Sequence, residues 1–214
     1  RAMGVGVFMS CRPSNRQLIH GLGDSIKVNA QMLKVHAYEY SAWASAFSIS
    51  TSLDFYQLTQ GVPELVSAMQ SGLYEQGDVA QMLENEIVNI YGAALVDLAS
   101  LENNALFSVA CLMVLMGEGN ISELEACGVR LSAIDQSYLV RDYPIFGVDP
   151  ADRSFTCLGT EDNARLRLRK LVAEIRPELV VRAARILIKA GRCDTAMDLA
   201  DAFLDRSAVL ELAG

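Results

Sequence analysis

Between Lys34 and Arg130 the chain contains no lysine or arginine, and that gap constrains the protein more than any motif does. Twelve carboxylates fall inside it: Glu39, Asp54, Glu64, Glu75, Asp78, Glu84, Glu86, Asp97, Glu102, Glu118, Glu123 and Glu125. His36 is the one side chain there that titrates to a cation near neutral pH. Salt bridges to Lys or Arg within this stretch are therefore excluded.

Histidine is scarce, with two copies, and neither sits at metal-ligand spacing. No CxxC, HxxxH or HExxH pattern occurs, which argues against a zinc site built from local ligands. No ExxH pair of the kind used in helical di-iron sites is present either. Glu84 and Glu86 are two residues apart, so on a helix they diverge by roughly 200° instead of converging on a cation, and Glu123 and Glu125 do the same. We therefore expect no metal and no cofactor. A nucleophilic cysteine needs a base, and the nearest arrangement is Cys11 with His20 or His36, with no family signature around it. A cysteine-dependent enzyme is the weakest of the functional readings.

Long apolar runs are also missing. The longest, Ala105 to Met116, spans twelve residues interrupted by Ser108, whereas a bilayer crossing needs about twenty. It reads as a core helix, and no membrane span is expected. Gly4 to Met9 is too short and glycine-rich to read as a signal peptide. Five cysteines, an odd and widely spaced set, fit reduced thiols in the cytoplasm or another reducing compartment. Gly21-Leu22-Gly23-Asp24 and Gly117-Glu118-Gly119-Asn120 lack the spacing of phosphate-binding loops, and each carries an acid that would repel phosphate. They read as helix punctuation.

Apolar residues make up 51% of the 214, and charged residues 21%. A chain of this size buries roughly 70% of its unfolded surface. Alternating strand patterns are almost absent, so the fold class expected is all-α, an irregular multi-helix bundle. The steadiest periodicity is Ile26, Ala30, Leu33, Ala37, Tyr40, Ala44 and Phe47, which predicts one long helix with a bulky and a small edge, capped by Asp24 or Ser25. Pro63 fits a first helical position and Asp78 an N-cap. Val79, Met82, Leu83, Ile87, Ile90, Ala94 and Leu98 then share a side, with Glu84, Asn85, Glu86 and Asp97 lying mostly away from it. Ser122 is expected to cap a short helix closed by Gly128, and Ser132 another reaching about Arg141. Pro177 should end or kink a helix opened near Thr160, and Gly191 should close the next one before Asp194 caps the last.

Three segments follow: an acidic helical body over 1–141, a linker or long loop over 142–160, and a basic C-terminal helical unit over 161–214 packed on the body. The last holds ten of the eighteen cations against nine acids. Within it, Ala183 to Ala200, with Gly191 at a turn and Ala196 at a close crossing, resembles the turn region of a tetratricopeptide-type helical hairpin. Cys193 stands where that repeat usually has tyrosine, and no second copy follows at a spacing of about 34.

Arg165, Arg167, Arg169, Arg182, Arg185, Lys189 and Arg192 are the candidate basic surface. If they form one ridge, they fit nucleic acid. The net charge of −8 and the lack of aromatics between Leu158 and Ala202 argue against that. The alternative is that they face the cation-free body of this chain or of a neighbouring subunit, where complementary potentials fix orientation. The function expected is thus non-enzymatic: a protein-protein interaction or assembly subunit, as an adaptor, a chaperone-like subunit or a structural component. Its partner is another protein or itself, as a homo-oligomer or a subunit of a complex. Trp43, Phe47, Phe55 and Tyr56 are the candidate partner-binding aromatics.

Overall fold

A computed structural model describes residues 79–101, 104–149, 151–157 and 162–204, with shorter stretches at 28, 30–36, 38–39, 42, 56, 59–66 and 68. Among them are a 3₁₀ turn (Ala30–Leu33), seven α-helices and three short strands. In chain order these are α1 (Val79–Ala99), α2 (Asn104–Met116), β1 (Glu118–Asn120), α3 (Ile121–Ala126), α4 (Ala133–Asp142), β2 (Phe146–Val148), β3 (Ser154–Cys157), α5 (Asp162–Ile175), α6 (Pro177–Lys189) and α7 (Cys193–Phe203).

Helix α2 is the centre. Every residue from Val109 to Met116 is buried, as its uninterrupted apolar run demands. It packs against α1, α5 and α6 and touches β1 and β3. Because it buries all its faces, its neighbours supply the amphipathic layer: α6 turns Leu179, Val180, Ala183, Ala184, Ile186 and Leu187 inward. Gly117, at φ +79°, stops α2 and turns the chain into β1.

The all-α expectation needs correction, because β1, β3 and β2 form a three-stranded antiparallel sheet with β3 in the middle. Two of its strands lie within 142–160. In β3, Phe155 and Cys157 point into the core while Thr156 is exposed, an alternation too short to register as a pattern. A glycine on each edge strand makes room for β3. A Cβ on Gly119 would meet the Phe155 ring at 2.9 Å, and one on Gly147 would meet Thr156 Oγ1 at 2.8 Å. The sheet docks on α1 through Tyr91, whose hydroxyl donates to Ile145 O at 3.0 Å and whose ring meets Phe146 edge-on.

The long heptad helix is a second correction. The turn at Ala30–Leu33 is 3₁₀ and is followed by non-helical residues 34–36, with Leu33 exposed. Val35 instead donates its N–H to Gly61 O at 2.9 Å. Gly61, at φ +73°, lies so close that a Cβ there would fall 2.0 Å from Val35 O. Ile26, Ala37, Tyr40, Ala44 and Phe47, with the caps Asp24, Ser25 and Asp78, lie outside the described residues. Ser132 caps α4 in a reciprocal capping box with Asp135. The cap of α3 is Asn120 instead of Ser122, because Asn120 Oδ1 accepts from Ser122 N at 2.9 Å. The Asn120 amide also donates to Asp152 O at 2.7 Å, so one side chain both caps a helix and pins the β2–β3 connection. The N-cap of α7 lies two residues earlier than expected: it is Arg192, without a side-chain bond, and Asp194 lies in the first turn.

The C-terminal hairpin of α6 and α7 is tightly paired. Pro177 opens α6, Gly191 at φ +76° closes the turn, and Ala196 is buried at the crossing. No helix among the described residues is long and apolar enough to cross a membrane.

Candidate functional site

A buried helix end needs donors for its last carbonyls, since those groups have no partner within the helix and carry its partial negative charge. The last turn of α2 contains no basic residue, and the sequence around it has none to offer. The donors come from the C-terminal segment. Arg169 Nε bonds Leu115 O at 2.8 Å. Arg165 lays its guanidinium over Gly117, with Cζ, Nε and Nη2 each 3.5 Å from where a Cβ would stand. Arg192 Nη1 bonds Glu118 O, and its Nη2 lies 4.0 Å from the Glu118 carboxylate.

Two more arginines reach the same cation-free stretch. Arg182 Nη2 bonds Cys127 O at 2.9 Å, at the end of α3, and Arg167 Nη1 bonds Asn85 Oδ1 at 2.7 Å on α1. Five of the seven candidate basic residues thus touch atoms between Asn85 and Cys127, largely backbone carbonyls. Arg185 and Lys189 are exposed on α6.

Arg169 is the unusual member, at 8% exposed. Burial pulls its guanidinium below the ordinary arginine range; the charges of Arg165 and Arg192 push the same way, and Asp198 opposes them. Its Nη2 is buried with no hydrogen-bond partner.

A second polar cluster lies at the opposite end of α1. Asp97 is 4% exposed, which corrects its expected place away from the buried side. Tyr143 Oη donates to Asp97 Oδ2 at 2.6 Å, and the Tyr138 ring meets Tyr143 edge-on at 5.7 Å. Burial, reinforced by the bond to Asp97, drives the Tyr143 phenol far above the usual tyrosine range. Neither the arginine bonds nor this pair is visible as a motif. The signal for the first was the cation-free stretch itself, and for the second an acid set in the apolar C-terminal half of α1.

Of the candidate aromatics, Trp43, Phe47 and Phe55 lie outside the described residues, and Tyr56 is half-buried against the core. Cys11 and His20 also lie outside them. His36 is exposed and stacked on Tyr38, with ring centroids 5.5 Å apart. Cys111, Cys127, Cys157 and Cys193 are free thiols. Burial pushes Cys111 and Cys157 each up to about 12, which keeps them protonated and unreactive. Burial also holds the Lys34 ammonium below the usual lysine range. Among the described residues no group of three His, Cys, Asp or Glu side chains is placed to hold a metal ion.

The exposed residues of the hairpin carry both signs of charge. Arg185 and Lys189 are exposed on α6, and Asp194, Asp198 and Asp201 on α7. Large apolar side chains stand exposed on the same helices, Ile188 at 43% and Met197 at 62%. No family model matches the chain, and no curated protein or solved structure was found to resemble it.

Proposed function

We propose that the chain is a non-catalytic protein-protein interaction or assembly subunit, acting as an adaptor, chaperone-like subunit or structural component, whose partner is another protein or a second copy. The observation that carries this reading is the exposure of large apolar side chains on the α6–α7 hairpin, Ile188 beside exposed cations on α6 and Met197 beside exposed carboxylates on α7. Apolar side chains contribute contact area, and the flanking charges set orientation and exclude wrong partners. A rigid hairpin presents these groups at little conformational cost, because Ala183, Ala184, Ala196 and Leu199 already lock it in place.

Because Arg169, Arg182 and Arg192 spend hydrogen bonds on the body, the charge offered to a partner includes the exposed Lys189 and the α7 acids. Replacing Ile188 and Met197 together by Asp tests the reading. Both are exposed, so the fold should persist by circular dichroism while association measured by native mass spectrometry is lost. Association that survives the double replacement would remove the hairpin from the proposal.

A further inference from the structure

Helix α7 packs chiefly on α6, through the buried Ala196, Leu199 and Ala200. Asp194, Met197, Asp198 and Asp201 are exposed. Their i, i+3, i+4, i+7 spacing sets all four on one face of the helix. Met197 is 62% exposed, and α7 contains no lysine or arginine. Asp198 lies near enough to Arg169 to oppose its neighbours' charge, but none of the three aspartates forms an ion pair among the described residues. Like charges a turn apart repel, so cations laid along this face relieve it.

Helix α5 carries the opposite face at the same spacing. Ala164, Leu168 and Val172 are buried, while Asn163, Leu166, Arg167 and Lys170 are exposed, Leu166 at 54%. Arg167 gives one N–H to Asn85, and Lys170 forms no ion pair among the described residues. No ion pair joins α5 to α7 within the chain, since both pack on α6. A second copy supplies each face with what it lacks: we propose that α5 of one copy lies along α7 of another. The exposed acid Glu174 sets the direction. At 1.5 Å per residue it stands about 6 Å beyond Lys170, so a parallel pairing brings it against Asp201. An antiparallel pairing carries it past the start of α7, where the α6–α7 turn has the exposed Lys189. Antiparallel, Lys170 meets Asp194, Leu166 and Arg167 stand level with Met197 and Asp198, and the Asn163 amide donates to Asp201. Apolar contact sits at the centre and charge fixes the orientation. This inference rests on the assembly reading and names the partner as a second copy.

The test uses the full chain purified alone, with its association followed by sedimentation velocity at low salt. The wild type should self-associate. Lys170→Glu should weaken association about tenfold or more, and Asp194→Lys should do the same, because each sets like charges against each other. Mixing the two variants restores both pairings, so the mixture should associate as the wild type does, and so should the double variant Lys170→Glu/Asp194→Lys. Circular dichroism checks that each variant, altered at exposed positions, keeps its helices. A wild-type chain that stays single when purified would overturn the pairing, while the assembly reading would stand if a different protein is bound. Self-association that neither variant weakens, or that mixing does not restore, would overturn the α5–α7 assignment and leave assembly through another surface.

Discussion

The Tyr143 hydroxyl bonds the Asp97 carboxylate at 2.6 Å across 46 residues of chain, in a buried site that fastens α4 to α1. Hydrogen bonds to charged groups contribute about 1.5–3 kcal/mol, so Tyr143→Phe should lower stability to urea by that amount at neutral pH. The pH dependence has a definite sign. The unfolded phenol ionises near pH ~10, and the folded one ionises higher. The fold therefore holds the proton, and the stabilisation is complete below about pH 10 and fades as pH rises through the folded value. The stability difference between the wild type and Tyr143→Phe should shrink above about pH 10, and urea titrations at neutral and alkaline pH check it.

The thiols should react in an order set by exposure. Cys193 is exposed, Cys127 half-buried, and Cys111 and Cys157 are buried with their thiols held protonated. Among the four described cysteines, iodoacetamide near pH 8 should label Cys193 first and Cys127 more slowly. Cys111 and Cys157 should become labelled on adding denaturant. Peptide mapping by mass spectrometry reads this directly, and fast labelling of Cys157 in the native protein would contradict its place in the core.

Two glycines should respond differently to alanine. Gly191 needs a positive φ, but no atom lies within 4 Å of its added Cβ. Gly191→Ala should therefore cost the left-handed backbone penalty of about 1–2 kcal/mol. At Gly61 the new methyl would strike Val35 O at 2.0 Å. Gly61→Ala should cost clearly more and release the segment carrying Val35 from the Gly61 turn. Urea midpoints compare the two, and a smaller effect at Gly61 would contradict the close approach.

Leu112 is fully buried on the central helix. Leu112→Ala should destabilise the protein by about 2–5 kcal/mol, the range for a core cavity that cannot collapse. Ile134→Ala, at an exposed position on α4, should stay within about 0.5 kcal/mol. Chemical denaturation of both variants measures the contrast.

The helices were legible where one local signal decided them. The apolar run named α2, Ser132 named the start of α4, and Pro177 and Gly191 bracketed α6. The sheet was not legible, because strands of three and four residues carry too little alternation and glycines occupy its tightest positions. The heptad pattern misled for another reason: it describes how a helix would pack, and the bond from Val35 to Gly61 takes the backbone elsewhere. Charge was half legible. The cation-free stretch implied that cations arrive from the C-terminal segment, yet sequence could not show that carbonyls such as Leu115 O and Cys127 O, more than carboxylates, would receive them.

Native mass spectrometry of the full chain at low and high ionic strength tests the assembly role most directly. The account predicts a species heavier than the 23.3 kDa chain at low salt, either an oligomer or a complex with a defined partner, that falls to the single chain as salt screens the hairpin charges. A single chain of 23.3 kDa at every ionic strength, with no bound protein, would contradict it.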